Sequence, residues 1–557
     1  MPALALQRFL PGWKNILLAV LAAALLILSF PDFEFWFLAW FALVPLMWAI
    51  DGERASAVRC FVLGWLFGFL FFTGTCWWLT YAPIHYAGFP WPLAYFLLFC
   101  VTAVVGLFPA LFAAILSNLL RRFRMWGFIA APFVWVFTEF LRYWVTGNDW
   151  NAVGYSLACE PSCALPAFWF FPGLWTAAIG GVLLTSGVIV FANVMIVRTL
   201  DNLAAWGEFG RNVKRCIVEW TMLFVLSLAA SFAHVSSMKY ESPDGAGGAI
   251  VTIQPNVPMS GLDSGKLHQL RQRQVDLAEG EIKKILDYRK EHNERRIAKG
   301  LEQSTENERR ITVVLPESPM DFMYSDDREF QQFIGDFARK NNVSVLFNSA
   351  EPNRGTTKYF NSAVMVGPDG NKIAEYDKIY LLPFGEYVPG PLESIVPAFV
   401  GNFARGSNYA LLPIGDAKVG VMICFESHFG QLSREYVRNG ADAIIEMTND
   451  GYLGPTPVLR QHLANAIFRA VETNRPVFRV TNVGITARVS PNGDICDSLV
   501  WCGPEPYTEG SESMGVSRSD GSQTFYVKYG DWFAWLCTIV TIGLLGYAVF
   551  RRRQPTV

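Results

Sequence analysis

The sequence predicts a polytopic α-helical membrane domain of about eight spans joined to a layered α/β domain that lies outside the bilayer. Three observations carry this prediction. The chain is 52% hydrophobic and 15% aromatic but only 17% charged, which suits a protein that meets lipid as well as water. Its long apolar runs are confined to residues 1–240 and 529–557. Between them, from residue 241 to 528, short β-rich runs alternate with helical stretches. A chain of 557 residues is expected to form more than one domain, and these three segments are the natural divisions.

The apolar runs fall near residues 14–31, 34–50, 57–80, 91–119, 126–145, 165–197 and 216–236, with a last one at 531–550. Each reaches across a hydrocarbon core of roughly 30 Å at about 1.5 Å per residue. The first has the basic start and apolar core of a signal peptide. It lacks a small-residue cleavage site, however, and further spans follow. Lysine and arginine occupy alternate loops: Arg8 and Lys14, Arg54 and Arg59, the run at 121–124, Arg198 to Arg215, and the tail at 551–553. The loops near residues 31, 81–92 and 146–166 have neither. By the positive-inside rule both termini are cytoplasmic and residues 240–528 lie across the membrane. Glu139 and Arg142 fall in the fifth span, where charge is costly unless paired or facing a cavity. They are either a structural pair or part of a lipid entrance. Trp91, Trp150, Tyr155, Tyr81 and Tyr86 suit the headgroup level, as ordinary interface anchors or as lipid contacts.

Within the α/β segment, continuous apolar runs such as "TVVL" and "VGVMIC" are what sheets buried on both faces show. A "GPDG" turn marks a hairpin, and helices are expected near 327–341 and 457–474. The charged stretch 264–308 reads as a helix with a solvated outer face. Its far end lacks an apolar side and is expected to be a mobile loop. The net charge of −2 gives no basic face for nucleic acid. Ten cysteines without paired spacings indicate neither a zinc module nor a disulfide scaffold. Cys159 with Cys163, or Cys496 with Cys502, could pair in an oxidising compartment, but spacing alone does not decide.

Three polar residues stand at the ends of strand-like runs: Glu317 after "ITVVLP", Lys378 in "EYDKIYLLPFGEYVP" and Cys424 after "KVGVMI". Singly they read as a surface carboxylate, a solvated lysine and a core cysteine. Together they supply the base, cation and thiol that acyl transfer requires. A thiolate just before a helix N-terminus would also gain from the amides there. His428, four residues on, could serve as a rival base, but it would have to lean back over that N-terminus. The apolar segment 392–403 is open to two readings, a lid over the site or ordinary core packing.

The motifs "LPES", "YDKIYLLPFGEYVP", "VMICFE" and "TNDGYLG", in this order and spacing, resemble the nitrilase (carbon–nitrogen hydrolase) superfamily. Seven spans before that domain and one after it resemble one member family, the apolipoprotein N-acyltransferases, as do "QPNVP" at 254–258 and "YGDW" at 529–532. The resemblance implies an αββα sandwich with a Glu–Lys–Cys triad. Cys424 would carry an acyl group as a thioester, Glu317 would move protons, and Lys378 would stabilise the oxyanion, helped by a backbone amide near Phe425. Glu386 would orient the lysine and Glu426 would support the pocket. Phe425 and Tyr452 depart from the tyrosine and tryptophan common there; each keeps a ring but changes its polar handle. The implied reaction moves an acyl chain from a phospholipid, such as phosphatidylethanolamine, to the N-terminal amine of a diacylglyceryl-cysteine apolipoprotein. The implied location is a bacterial inner membrane with the catalytic domain periplasmic, and no metal or organic cofactor is implied. Competing expectations are a membrane-anchored amidase with the same triad and a non-enzymatic transport or scaffold protein.

Overall fold

The computed structural model describes residues 9–158, 173–204, 218, 221, 247–302, 310–317, 322–388, 390, 403–496 and 507–550. The chain divides into two compact units. One comprises Met1–Met238, Thr456–Ala464 and Tyr529–Val557; the other comprises Lys239–Pro455 and Asn465–Lys528.

The first unit is helical: α1 (Trp13–Leu28), α2 (Val44–Gly52), α3 (Ala57–Cys76), α4 (Tyr81–His85), α5 (Trp91–Val105), α6 (Leu107–Phe123), α7 (Ala131–Thr146), α8 (Ala177–Ala204) and, near the C-terminus, α14 (Trp532–Phe550). Ser56 caps α3 by accepting a hydrogen bond from the Arg59 backbone N–H. Gly64 lets α3 and α6 touch, since a Cβ there would lie 2.3 Å from the Pro109 carbonyl oxygen. Helix α7 stops at Gly147 in the left-handed conformation, and α8 is broken at Gly180–Gly181. Among the described residues, three stretches are long and apolar enough to cross a membrane: Ala57–His85, Trp91–Thr146 and Leu174–Asp201. Trp13–Leu28, Trp36–Gly52 and Trp532–Ala548 are shorter apolar helices. The run at 216–236 lies outside the described residues, apart from 218 and 221.

The costly pair of the fifth span has a structural use. Glu139 accepts a hydrogen bond from the Val153 N–H at 2.9 Å. Arg142 donates to the carbonyls of Trp150 at 2.7 Å and Asp149 at 3.2 Å, with its guanidinium 5.0 Å over the Phe72 ring. Both therefore clamp the loop that follows their own helix. Gln461, in the same unit, accepts from the indoles of Trp78 and Trp150 and donates to Thr75 O, while Arg460 pairs with Glu34 at 2.7 Å.

The second unit is built on two sheets. Its strands are β1 (Gly248–Gln254), β2 (Ile311–Val314), β3 (Ser344–Pro352), β4 (Tyr359–Val366), β5 (Lys372–Asp377), β6 (Phe403–Ala404), β7 (Leu411–Ile414), β8 (Ala417–Ile423), β9 (Ala443–Thr448), β10 (Val477–Thr481), β11 (Ala487–Val489), β12 (Ile495–Cys496) and β13 (Gly510–Val516). One sheet runs β13-β1-β2-β3-β4-β5, with β6 on β4; the other runs β12-β11-β10-β9-β8-β7. Pairing is parallel at the centre of each sheet and antiparallel toward its edges, apart from the short parallel β4–β6 pair. The helices are α9 (Ser264–Ala298), α10 (Arg328–Asn341), α11 (Gly430–Arg438), α12 (Val458–Thr473), whose part up to Ala464 belongs to the first unit, and α13 (Phe525–Tyr529). Helices α9 and α10 bury Ala278, Ile282, Phe330, Ile334 and Phe337 against Val313, Val345 and Phe347 of the first sheet. On the other face of that sheet, Gln254 accepts from the hydroxyls of Thr481 on β10 of the second sheet and of Thr486 in the turn after it. This is the layered order that the resemblance implied.

Two expectations need correction. The far end of 264–308 does not become a loop at once: α9 continues to Ala298 on an Arg295–Glu291 pair one turn apart, and residues 303–309 lie outside the described set. The helix expected just after Cys424 does not begin as an α-helix. Residues Cys424–His428 form a 3₁₀ turn, and α11 begins only at Gly430.

Candidate active site

Strand β8 is buried along most of its length and ends at Ile423, which pairs with Met447 of β9. Cys424 then adopts φ +53°, a conformation that costs a side-chain-bearing residue of order 1 kcal/mol or more and persists only where its surroundings enforce it. What enforces it is Glu426. Its Oε2 accepts the Ile423 N–H at 2.9 Å, closing the turn on itself. Its Oε1 accepts from the Tyr376 hydroxyl at 2.8 Å and from the N–H groups of Ile379 at 2.7 Å and Tyr380 at 3.0 Å. One buried carboxylate thus joins the cysteine turn of the second sheet to the loop that leaves β5 of the first.

That loop carries Lys378, which is 1% exposed. Its ammonium lies 2.8 Å from Glu386 Oε1 and 3.9 Å from Glu317 Oε1. Glu386 Oε2 accepts the Leu382 N–H at 2.7 Å, so the lysine's partner is fixed by its own loop. Glu317 follows β2 and makes a side-chain hydrogen bond with Cys424. The structure therefore brings Glu317, Lys378, Cys424, Glu386 and Glu426 into one site. Phe425 packs beside them, edge-on to Phe429. Tyr452 lies on the short helix Asp450–Leu453 and is 46% exposed. The rival base, His428, is stacked on Phe425, its ring centroid 5.7 Å away, within an aromatic cluster. The segment 392–402, Cys159, Cys163, Cys502 and the Cys496 side chain lie outside what is described.

The electrostatics follow from burial. It pushes the Cys424 thiol well above its usual range, Glu317 adding to the rise and Lys378 opposing it. It also lifts Glu317, with Lys378 pulling back. For Lys378 burial acts downward, but Glu386 and then Glu317 outweigh it, so the ammonium stays charged. Glu426 is lifted by burial to about 7. The resting arrangement is a thiol against a carboxylate, beside a fixed cation. This geometry can pass a proton from sulfur to Glu317 at the moment of attack and meet the new oxyanion with Lys378.

Sequence reading missed two groups. Asn361, on β4, donates to both Glu317 Oε1 at 3.2 Å and Glu386 Oε1 at 2.8 Å. Nothing in its surroundings marks it out, since asparagine in a strand run reads as an edge position. Arg479, fully buried on β10, donates to Glu446 and, at 2.6 Å, to Asp450 Oδ2. Its signal was available: an arginine inside the apolar run "VFRVT" must be paired if the strand is buried.

The fold is that of a carbon–nitrogen hydrolase domain, and apolar helices accompany it. Residues 308–503 match the Carbon-nitrogen hydrolase family, and residues 22–195 match the Apolipoprotein N-acyltransferase N-terminal domain. A Geobacter metallireducens apolipoprotein N-acyltransferase is 29% identical over 554 residues, covering 97% of this chain and 96% of the relative. That of Thermotoga maritima is 27% identical, covering 96% and 94%. Among solved structures, Saccharomyces cerevisiae Nit3, a member of the nitrilase superfamily, aligns with 50% of this chain and 93% of its own at 18% identity and a TM-score of 0.33. Over nearly its whole length, then, the chain is similar to apolipoprotein N-acyltransferases.

Proposed function

We propose that the protein is a membrane acyltransferase of lipoprotein maturation that works by a two-step exchange through Cys424. The observation that carries this reading is the convergence of Glu317, Lys378 and Cys424 in a chain whose helical part matches the family's N-terminal domain. In the first step the Cys424 sulfur attacks an ester carbonyl of a phospholipid, phosphatidylethanolamine being the expected donor. The thiol proton passes to Glu317, and Lys378 meets the oxyanion. Collapse breaks the ester bond, and the Glu317 proton leaves with the lysophospholipid hydroxyl. In the second step the free α-amine of a diacylglyceryl-cysteine apolipoprotein attacks the thioester. Glu317 accepts the amine proton and returns it to the departing sulfur. An amide forms and the thiol is restored.

The membrane location follows from the substrates, whose acyl chains reside in the bilayer. The alternation of loop charges supports a topology with both termini in the cytoplasm, the α/β domain in the periplasm and about eight spans in the inner membrane. The carbon–nitrogen hydrolase match alone would also suit a membrane-anchored amidase. Intact mass of the purified protein after incubation with phospholipid separates the two. A fatty-acyl increment that hydroxylamine removes, absent in Cys424→Ala, is the expected result. No adduct and no lysophospholipid, even with acceptor peptide present, would sink the acyltransferase reading and favour the amidase.

A further inference from the structure

Two carboxylates, Glu317 and Glu386, share one lysine at this site, and one neutral side chain lies against both. Asn361 Nδ2 donates to Oε1 of each, at 3.2 and 2.8 Å. An amide offers two N–H donors at one end and an acceptor at the other, so its orientation decides whether it binds or repels a carboxylate. Here that orientation is held from behind. Asn348, opposite Ala363 on β3 and 9% exposed, donates its Nδ2 to Asn361 Oδ1 at 2.7 Å and to Ser362 O at 3.1 Å. The backbone secures the same residue, because the Lys378 N–H donates to Asn361 O at 2.9 Å. A flipped Asn361 would set its oxygen against two carboxylates and its N–H groups against another amide donor, which costs more than a lost hydrogen bond.

We propose that Asn361 is a positioning residue, oriented by Asn348, which holds Oε1 of Glu317 so that the proton taken from Cys424 goes to Oε2. This rests on the reading of Glu317 as the base for Cys424. In the step itself one proton leaves sulfur for Oε2, giving a thiolate and a neutral carboxyl, with Oε1 kept as acceptor of the Asn361 amide. Besides Asn361, the groups facing Glu317 are Lys378, Glu386 and Cys424. Among them Asn361 contributes a neutral hydrogen bond that favours the charged form of Glu317. Its removal therefore moves the titration of Glu317 upward.

The test is the rate of Cys424 alkylation by iodoacetamide in the full-length detergent-solubilised protein, followed by mass from acid to alkaline pH, with Cys424→Ala as background. Asn361→Leu should slow alkylation about 10- to 100-fold at neutral pH, the worth of a hydrogen bond to a charged group. The rate should recover in alkali as the acid limb moves up by about one to two pH units. Asn348→Leu should shift the same limb in the same direction by less, and Asn348→Ser, which keeps a donor, should return it toward wild type. If Asn361→Leu does not accumulate, the Asn348 pair carries the test. A profile that superimposes on wild type, or a loss equal at every pH, would overturn the proposal. The acyl-adduct measurement is separate. A wild type that is never acylated, yet whose alkylation limb moves in Asn361→Leu, would remove the acyltransferase reading and leave this inference standing.

Discussion

The carboxylate of Glu426 accepts the backbone N–H of Ile379 at 2.7 Å, and so fixes the lysine loop of one sheet to the cysteine turn of the other. It accepts from Tyr376, Tyr380 and Ile423 as well. Burial lifts this group to about 7, above the roughly 4.3 of an unfolded glutamate. Between those values the folded chain binds the extra proton, so its stability declines as pH rises from about 4.3 toward 7. Acyl-enzyme formation should run the other way, increasing as Glu426 ionises and its four donors are fully met. Glu426→Gln, with an amide facing N–H donors, should lower single-turnover acylation by about 10- to 100-fold. It should also flatten the stability change. Chemical denaturation and acylation measured at pH 5 and 8 check both signs.

Lys378 is the cation between two carboxylates and is 1% exposed. Lys378→Met leaves Glu317 and Glu386 facing each other without it. The expected cost is about 3–5 kcal/mol of stability and loss of lysophospholipid release. Lys378→Arg keeps the charge but not the compact head, and should restore stability more than activity. Thermal unfolding and product assay on the same preparations read the two apart.

The left-handed backbone at Cys424 suits glycine, which has no Cβ to strain. Both Cys424→Gly and Cys424→Ala should be inactive. Cys424→Gly should nevertheless be the more stable of the two, by about 1 kcal/mol, reversing the usual order for glycine and alanine. Denaturant unfolding of the pair is the measurement. Equal stability, or alanine ahead, would mean that the φ of +53° costs nothing.

Arg479 holds two carboxylates, Glu446 and Asp450, where all three side chains are at most 1% exposed. Arg479→Met should destabilise by about 3–5 kcal/mol at neutral pH. Arg479→Lys, which keeps the charge, should recover part of it, as chemical denaturation of the two variants reads. Equal deficits would show that packing, not charge, is what the arginine supplies.

The two-part architecture was legible because each part has its own period. Long apolar runs gave the helical unit, and short buried runs with turn signals gave the sandwich. The grouping of Glu317, Lys378 and Cys424 was legible because the three follow recognisable strand endings. Asn361 and Asn348 were not, because pairing between neighbouring strands, rather than local sequence, brings them to the carboxylates. The end of α9 was misread for a different reason. Local ion pairs such as Arg295–Glu291 support a last stretch of helix that has no apolar face to reveal it. The helix expected after Cys424 begins as a 3₁₀ turn because its tightening comes from Glu426 two residues on, a tertiary effect with no periodic signature.

Since the thiol hangs from one sheet and the ammonium from the other, the interior between them acts as a calliper. Leu346, Val421 and Ile423 are wholly enclosed within the sheets, and Gln254 is bonded across from β1 to β10. A single added methylene in that interior need not unfold anything to be felt, because tight cores shift rather than absorb volume. Widening the jaws by a few tenths of an ångström would retune turnover from positions that never meet a lipid. A change in those enclosed side chains is thus a means of adjusting speed without replacing any reacting group.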